Sequence, residues 1–518
     1  MIRSEMLRRV ADASKTWDIL VIGGGATGLG VAVEAASRGY STLLLEQGDF
    51  AQGTSSRSTK LIHGGVRYLQ QGNLALVLEA LHERGLLFRN APHLVHHQAF
   101  IVPNYEWWEG PFYGVGLKLY DALAGKLGFG PSKHLSREET LEKIPTLASE
   151  GLRGGTIYYD GQFDDARLAV TLARTLADLG GCEVNYMPVT GFIKKDGCIR
   201  AVTARDEETG RMYEIACRVA VNASGIFTDA VRGMDDPSGE PLLKPSQGVH
   251  IVLDHTFLPG DSAVMVPHTD DGRVLFAVPW YGRVIVGTTD TPVQTPEIEP
   301  RPFREEIDFL LSHASRYLTG HPAAGDVRSI FAGIRPLVRG GGVNSTAALS
   351  RDHHLMVSPS GLVTIAGGKW TTYRKMGEDA VSAAYKIAGL EEHPSITDRL
   401  PLHGWTKSAA PHDSFARYGA DGDAIRQLIT DIPDLGDLIH PVLPYRKAEI
   451  IWAVRFEMAR TLADVLARRL RALILDARAA VEIAPLAANV MAGELGKNRQ
   501  WEKNQVAQFQ KMASGYLL

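Results

Sequence analysis

The sequence predicts an α/β fold: a doubly wound parallel-sheet domain, interrupted by an inserted antiparallel β domain and followed by a C-terminal helical domain, so that the whole chain is α+β. This rests on three features. Trp17–Ile22 is a short, β-branched apolar run; glycines follow at once, then an alanine-rich helical pattern over 29–37 and a second strand over 41–45. That is one βαβ unit of about thirty residues. From about 240 to 325, strands alternate with Gly and Pro turns, as expected for an antiparallel layer. After about 395, helical periods take over, at 425–429, 446–475 and 479–511. The length of 518 residues, about three times a typical domain of roughly 150, supports such a division.

Between these landmarks, 165–178 reads as a helix, 182–188 as a strand and 191–219 as a small β-meander turning at Glu207-Glu208-Thr209-Gly210. Ala220 to Gly225 is an apolar strand running into a small-residue turn, 361–368 is another strand ending in glycines, and 371–389 is helical. The opening fifteen residues read as a frayed lead-in.

Composition narrows the function. At 45% hydrophobic and 22% charged, the chain is neither disordered nor fibrous. Charge nearly cancels, with 55 Lys plus Arg against 59 Asp plus Glu, so no global basic field holds a nucleic acid. Cys182, Cys198 and Cys217 form no CxxC pair and suit a reducing compartment. No run of about eighteen apolar residues crosses a membrane, and the basic opening lacks the apolar stretch of a signal peptide. Peripheral attachment stays open.

Gly23-Gly24-Gly25-Ala26-Thr27-Gly28 fits G-x-G-x-x-G. Gly23 permits the turn, Gly25 lets a pyrophosphate reach the backbone, and Gly28 lets the helix pack on its strand. The helix start, at Ala26 and Thr27, then faces the phosphates with its positive dipole end. Glu46, at the end of the next strand, can accept both hydroxyls of an adenosine ribose, and it disfavours a 2′-phosphate. Strand, glycines, helix, strand and acid in this order describe a Rossmann-like site. The stretch 54–65 is dense in hydroxyls and backbone donors. Thr54, Ser55, Ser58, Thr59, Lys60, Leu61, His63 and Gly64 can wrap a second phosphate and reach a ring edge; the competing reading is a solvated loop. Gly367-Gly368-Lys369-Trp370-Thr371-Thr372 is a second strand–glycine–helix element. It brings Gly368, Lys369, Thr371 and Thr372 toward the same ligand. A ligand met by both ends of the chain suits extended FAD better than NAD.

The 22–28 turn, Thr54-Ser55-Ser56, the stretch 60–69 (KLIHGGVRYL), Asp164 to Leu168, Val221 to Gly225, Gly287-Thr288-Thr289-Asp290, Gly333 to Leu337 and Gly367 to Arg374 occur in one order. With Glu457 to Thr461 and Leu466 to Arg469 in the tail, they resemble the FAD-dependent glycerol-3-phosphate dehydrogenases over nearly the whole chain. Four positions depart or vary: Ile226-Phe227 replaces the usual end of the Asn-Ala-Ser-Gly turn, Gln247 stands where relatives often carry a cation, and Trp370 occupies a Leu-or-Trp position.

The resemblance implies an FAD-binding domain at 17–90, 150–240 and 326–390, a substrate layer at 91–149 and 241–325, and a helical domain at 391–518. It implies FAD held non-covalently, with Val189, Ala223 and Gly225 joining the contacts above. It implies oxidation of sn-glycerol 3-phosphate to dihydroxyacetone phosphate, with electrons passed to membrane quinone. Arg67, Tyr68, Arg335, Arg351 and Lys369 line the substrate pocket on this reading. Arg335 ranks first, because preceding Pro336 keeps its backbone extended. His250, Arg335 and Lys369 are the catalytic candidates. His250 or His63 can serve as base, and Lys369 can instead lower the hydroxyl pKa. His93, His96-His97 and His353-His354 complete no ligand pattern, so no metal is expected.

The aromatic stretch 105–113, followed by 117–127 with Lys118 and Lys126, reads as a membrane-interface segment. The competing reading is a lid on the protein's own surface. Arg468, Arg469 and Arg471 are candidates for an added basic face or a solvated helix side. The expected location is cytoplasmic, peripheral on the inner face of the cell membrane, and a homodimer is compatible. The alternatives are an oxidase of the same family using oxygen, and an amine or amino-acid oxidase of the wider flavin superfamily.

Overall fold

Trp17–Ile22 is apolar on both faces, and in the computed structural model it lies inside a mainly parallel sheet covered on both sides. The structure describes residues 1–65, 73–267, 269, 273–339, 353–407 and 413–518. The sheet runs His353–Val357, Val363–Gly367, Met212–Asn222, Trp17–Ile22, Thr42–Leu45, Cys182–Val184. Ile19 pairs in parallel with Val219 on one side and Thr42 on the other. The long strand Met212–Asn222 serves two layers: its first half closes an antiparallel meander with Cys198–Arg205 and Val189–Lys195, and its second half enters the parallel sheet. Helices Ala26–Ser37, Asp165–Asp178 and Tyr373–Ala388 accompany the sheet. The last of them ends at Gly389 in the left-handed conformation, as a C-terminal glycine permits.

The second sheet is almost wholly antiparallel. Its spine is Ser246–Asp254, Arg283–Gly287, Leu275–Trp280, Ser262–Val266, Val95–Asn104 and Gly154–Phe163. Ser329–Arg335 flanks Ser246–Asp254, and Leu61–Ile62 flanks Gly154–Phe163. Gly154–Phe163, Leu61–Ile62 and Ser329–Arg335 were expected with the nucleotide-binding layer, but their ladders belong here. Gly154–Phe163 pairs with Val95–Asn104 along its whole length, and that ladder outweighs its proximity in sequence to the parallel sheet.

The opening segment is not frayed. Arg3–Val10 is a helix whose Met6 and Val10 are buried, and the Arg3 guanidinium pairs with buried Asp206 at 2.6 Å. The C-terminal region holds helices Gly422–Asp431, Lys447–Phe456, Ala477–Leu495 and Arg499–Ala513, together with a short hairpin, Leu438–His440 with Leu443–Arg446. A π-helical turn, Asp464–Arg469, interrupts them, closed by the Leu470 N–H donating to the Val465 carbonyl. Arg468, Arg469 and Arg471 form neither a basic face nor a solvated helix side. All three are buried and face the carboxylates of Asp49, Asp464, Asp164 and Asp165. A buried guanidinium needs such partners, and sequence periodicity does not reveal them.

His403 joins the helical region to Asp165–Asp178. Its Nδ1 lies 2.6 Å from Asp178 and its Nε2 2.9 Å from Asp421. Burial pushes its pKa down, but the hydrogen bonds to Asp178 and then Asp421 outweigh this and leave it above the ordinary value. A histidine raised on folding adds stability that is whole below its unfolded pKa, near 6.5, and is lost as pH rises through the folded value. Replacing His403 with Gln is expected to cost about 1 kcal/mol at about pH 6, fading at about pH 8.5. Urea unfolding of both proteins at the two pH values checks this, and an equal cost at both would refute the charged clasp.

Candidate active site

The parallel strands end at a cavity of about 380 Å³, between that sheet's carboxyl edge and Ser246–Asp254 of the other. This is where open α/β sheets bind ligands. The first wall is the glycine turn. Gly23, Gly25, Ala26 and Thr27 line the cavity, and Gly28 lies behind them. A Cβ on Gly28 would stand 1.9 Å from the Gly23 carbonyl, so the turn closes only without one. Gly25, at the N-cap, has no side chain of its own to cap the helix. Ser55 reaches across, its Oγ accepting from the Ala26 N–H at 2.9 Å. Glu46 lines the cavity and accepts from the Gly24 and Gly48 N–H groups, which fix its carboxylate at the end of Thr42–Leu45.

Thr54, Ser55, Ser58, Thr59, Leu61 and His63 form a second wall. Val189, Ala223 and Gly225 line the side near the meander, and Gly368, Lys369 and Thr371 line the cavity as well. Trp370 does more than fill a Leu-or-Trp position: its indole N–H donates to the Ser55 carbonyl at 2.9 Å and ties the 367–372 element to the hydroxyl-rich loop. Gly64 and Thr372 lie off the wall. Lys60 requires correction as a side-chain contact. Its ammonium is wholly buried away from the cavity, 2.8 Å from Asp165, and burial lowers its pKa to about 8 against the pull of that carboxylate. Arg67, Tyr68 and Arg351 lie outside the described residues.

The third wall belongs to the antiparallel sheet. Side chains alternate along Ser246–Asp254, so Gly248 and His250 face the cavity while Gln247 and Val249 turn away. Gln247 therefore withdraws no ligand contact; its amide donates to Glu306 and to the Arg301 carbonyl. Missing side chains make room for larger ones. A Cβ on Gly248 would fall 2.3 Å from the Arg335 guanidinium, and one on Gly287 would fall 2.1 Å from the His250 ring. Arg335 lies across Gly248 and donates to Thr288 Oγ1 and the Thr289 carbonyl, both at 3.0 Å, and pairs with Asp290 at 3.2 Å.

His250 is 3% exposed and stacks on Phe331, with ring centroids 4.8 Å apart. Thr59 Oγ1 lies 2.9 Å from its Nε2, while Nδ1 has no hydrogen-bond partner among the described residues. Burial first, then the charges of Lys60 and Arg335, push its pKa well below the ordinary histidine value, so the ring is neutral. The sequence reading missed Arg57, which lines the cavity and pairs with Glu299 at 2.6 Å. It also missed the apolar Phe276, Ile298 and Met234. Arg57 stands inside the hydroxyl-rich stretch, and that was its only signal.

These walls fit FAD. The turn is free of Cβ atoms where a pyrophosphate approaches, a carboxylate stands at the ribose position, and the cavity continues past both glycine elements to a buried polar ring atom. Residues 18–374 match the family model of FAD dependent oxidoreductases, and residues 363–505 match that of the C-terminal domain of alpha-glycerophosphate oxidase. The mitochondrial glycerol-3-phosphate dehydrogenase of Homo sapiens is 41% identical over 514 residues, 92% of this chain and 70% of that protein. Its counterpart in Arabidopsis thaliana is 40% identical, covering 98% and 87%. The structure of the glycerol-3-phosphate dehydrogenase from Bacillus halodurans complexed with FAD covers 99% of this chain and 97% of that one, with 30% identity and a TM-score of 0.78. The cavity geometry and these likenesses agree: the chain belongs to the FAD-dependent glycerol-3-phosphate dehydrogenase family.

Proposed function

We propose that this chain oxidises sn-glycerol 3-phosphate to dihydroxyacetone phosphate and passes the electrons to a membrane quinone. The observation that carries this reading is the meeting of His250, Arg335 and Lys369 on the cavity into which the glycine turn opens. The activities named for the human and Arabidopsis relatives support it. FAD, held by the cavity residues of the glycine turn, the 54–63 wall and the 368–371 element, supplies a hydride acceptor when bound.

The chain's own groups do the rest. The substrate carries a phosphate dianion, and Arg335 offers it a positive charge held in place by Asp290, Thr288 and the Gln247 and Thr289 carbonyls. Lys369, which also lines the cavity, adds a compact charge. Neutral His250 takes the C2 hydroxyl proton, with Thr59 and Phe331 fixing its ring. Burial, and then the cations beside it, keep its lone pair available at neutral pH.

The helix Glu109–Ala124 supports membrane contact. It packs Tyr113, Leu117 and Tyr120 inward and leaves Trp108, Phe112, Val115 and Leu119 exposed at helical spacing, beside Trp107 at 74% exposure. Leu74 and Leu78 of the neighbouring helix are also exposed. An apolar stripe of this extent, with exposed Lys118 at its edge, suits a lipid interface better than a lid, because the described residues leave it uncovered. Among the described residues no helix is long and apolar enough to cross a membrane.

Anaerobic mixing with glycerol 3-phosphate is expected to bleach the flavin band near about 450 nm, while glycerol or an amino acid leaves it unchanged. Re-oxidation by a quinone analogue but not by air then selects quinone over oxygen; no bleaching by glycerol 3-phosphate defeats the substrate assignment. His250→Gln is expected to lower kcat by roughly 10²–10⁴-fold, and the wild-type acid limb of kcat/KM falls below about pH 6.5. A limb at or above that value argues against a neutral histidine base. Arg335→Gln is expected to cost about 2–3 kcal/mol in kcat/KM for the phosphorylated substrate. Phe112→Glu with Val115→Glu is expected to abolish co-sedimentation with acidic lipid vesicles while turnover with a soluble acceptor stays unchanged. Retained sedimentation removes the stripe from the membrane reading.

A further inference from the structure

The loop from Asp49 to Lys60 supplies one cavity wall, yet much of what holds it comes from the far end of the chain. The carboxylate of Asp49 is wholly buried and accepts from both Arg468 and Arg469. Arg471 Nη2 donates to the Ser56 carbonyl at 2.7 Å and to Asp165 Oδ1 at 2.9 Å. The other oxygen of Asp165 accepts from the Ser58 N–H at 3.0 Å, the Ser58 hydroxyl at 2.7 Å and the Lys60 ammonium at 2.8 Å. Between Ser58 and Lys60 stands Thr59, which touches His250. One set of polar groups, buried at Arg471, Asp165 and Lys60 and half-buried at Ser58 and Thr59, therefore runs from the helical domain, through the loop, to the candidate base.

The backbone that delivers these arginines is unusual. The π-helical turn Asp464–Arg469 presents two successive guanidiniums to one carboxylate, and Arg471 holds a positive φ of 63° without being glycine. Such turns and left-handed residues persist where the surroundings hold them, often at functional sites. Removing one partner from a buried charge set leaves the other unneutralised, so the loop cannot keep its position once an arginine is lost.

We propose that Arg471, with Arg468 and Arg469, is a positioning residue for the cofactor loop, so that the helical domain sets how tightly FAD is held. The proposal rests on the reading of the cavity as the FAD site. Arg471 does not line the cavity; it acts through Ser56 and Asp165.

The test is the FAD dissociation rate of full-length holoprotein, followed by recovery of free-flavin fluorescence on dilution. Arg471→Gln is expected to raise the rate at least tenfold. Arg471→Lys keeps the charge but not both contacts, and is expected to fall between Gln and wild type. Hydrogen exchange of amides 49–60 in the Arg471→Lys holoprotein is expected to accelerate, which keeps the test alive if Arg471→Gln does not fold. Arg167→Lys disturbs another buried contact with the helical domain, the Arg167–Glu457 pair at 2.7 Å, and is expected to leave both readouts near wild type. Equal effects of Arg167→Lys and Arg471→Lys would make the arginines general structural ties and overturn the proposal; wild-type rates and exchange in Arg471→Lys would do the same. Gly25→Val tests the cavity reading separately. If that variant retains FAD normally, the site assignment fails. If it loses FAD while the Arg471 variants hold it like wild type, only the positioning role fails.

Discussion

Asp165 is a carboxylate with no access to water, and the arrangement of the molecule follows from the need to neutralise it. Burial alone would raise its pKa; the charges of Lys60 and then Arg471 overcome that and hold it below the ordinary value. Neither cation is local. Lys60 lies 105 residues before it and Arg471 lies 306 residues after it. A buried charge costs several kcal/mol unless its partners arrive with good geometry, so the cofactor loop, the helix Asp165–Asp178 and the π-helical turn must meet at one point. Arg167 with Glu457, and Asp49 with Arg468 and Arg469, repeat that demand nearby. The helical domain is therefore no appendage to the nucleotide-binding layer: it carries counter-charges that this layer lacks.

The substrate side of the cavity depends on a different constraint, the two-residue alternation of a strand. Ser246–Asp254 is buried on both faces, and its period decides which groups meet the ligand. Gly248 and His250 share one face; Gln247 and Val249 share the other, where Glu306 holds both the Gln247 amide and the Thr289 hydroxyl. Cross-strand glycines complete the arrangement. Gly287 stands opposite His250 and leaves space for the imidazole, and Gly248 leaves space for a guanidinium contributed by the neighbouring strand. A one-residue slip would hide His250 and turn Gln247 inward, so register is a condition of the chemistry.

The parallel sheet and its glycine turn were legible because their signals are local. Apolar runs, turn glycines and helical periods occupy consecutive residues, so Trp17–Ile22, Thr42–Leu45 and Asp165–Asp178 fall where pattern places them. Most of the proposed cofactor residues could be named for the same reason, since the 54–63 and 368–371 stretches lie on the cavity wall. Long-range pairing was not legible. Gly154–Phe163 has no feature that assigns it to one sheet, and only its ladder with Val95–Asn104 decides. The arginines at 468, 469 and 471 look like a solvated helix side because their partners lie at 49, 164 and 165. Lys60 misled by position: it stands in the loop that meets the ligand, yet its side chain turns into the protein. Arg3–Val10 was read as frayed because its docking surface, including buried Asp206, is some two hundred residues distant.

On the proposed mechanism, one set of charges serves two requirements that ordinarily conflict. A phosphate dianion needs cations, and a general base needs to be unprotonated but not inert. Burial, Lys60 and Arg335 together depress the proton affinity of His250, so that it stands neutral before substrate arrives. A bound dianion would offset part of the positive field from Arg335 and Lys369. The term opposing a proton on His250 then shrinks, and the ring becomes a stronger base when there is a hydroxyl to deprotonate. The carboxylate of Asp290 limits how far this goes, because it already neutralises part of the Arg335 charge and leaves the guanidinium oriented rather than unopposed. A site with the same buried histidine but without the nearby cations would still hold a depressed ring, because burial is the larger cause, yet it would lose the charge that distinguishes the phosphorylated alcohol from the free one. The cations in this way tie the selectivity for a phosphorylated substrate to the protonation state of a base that burial has already depressed.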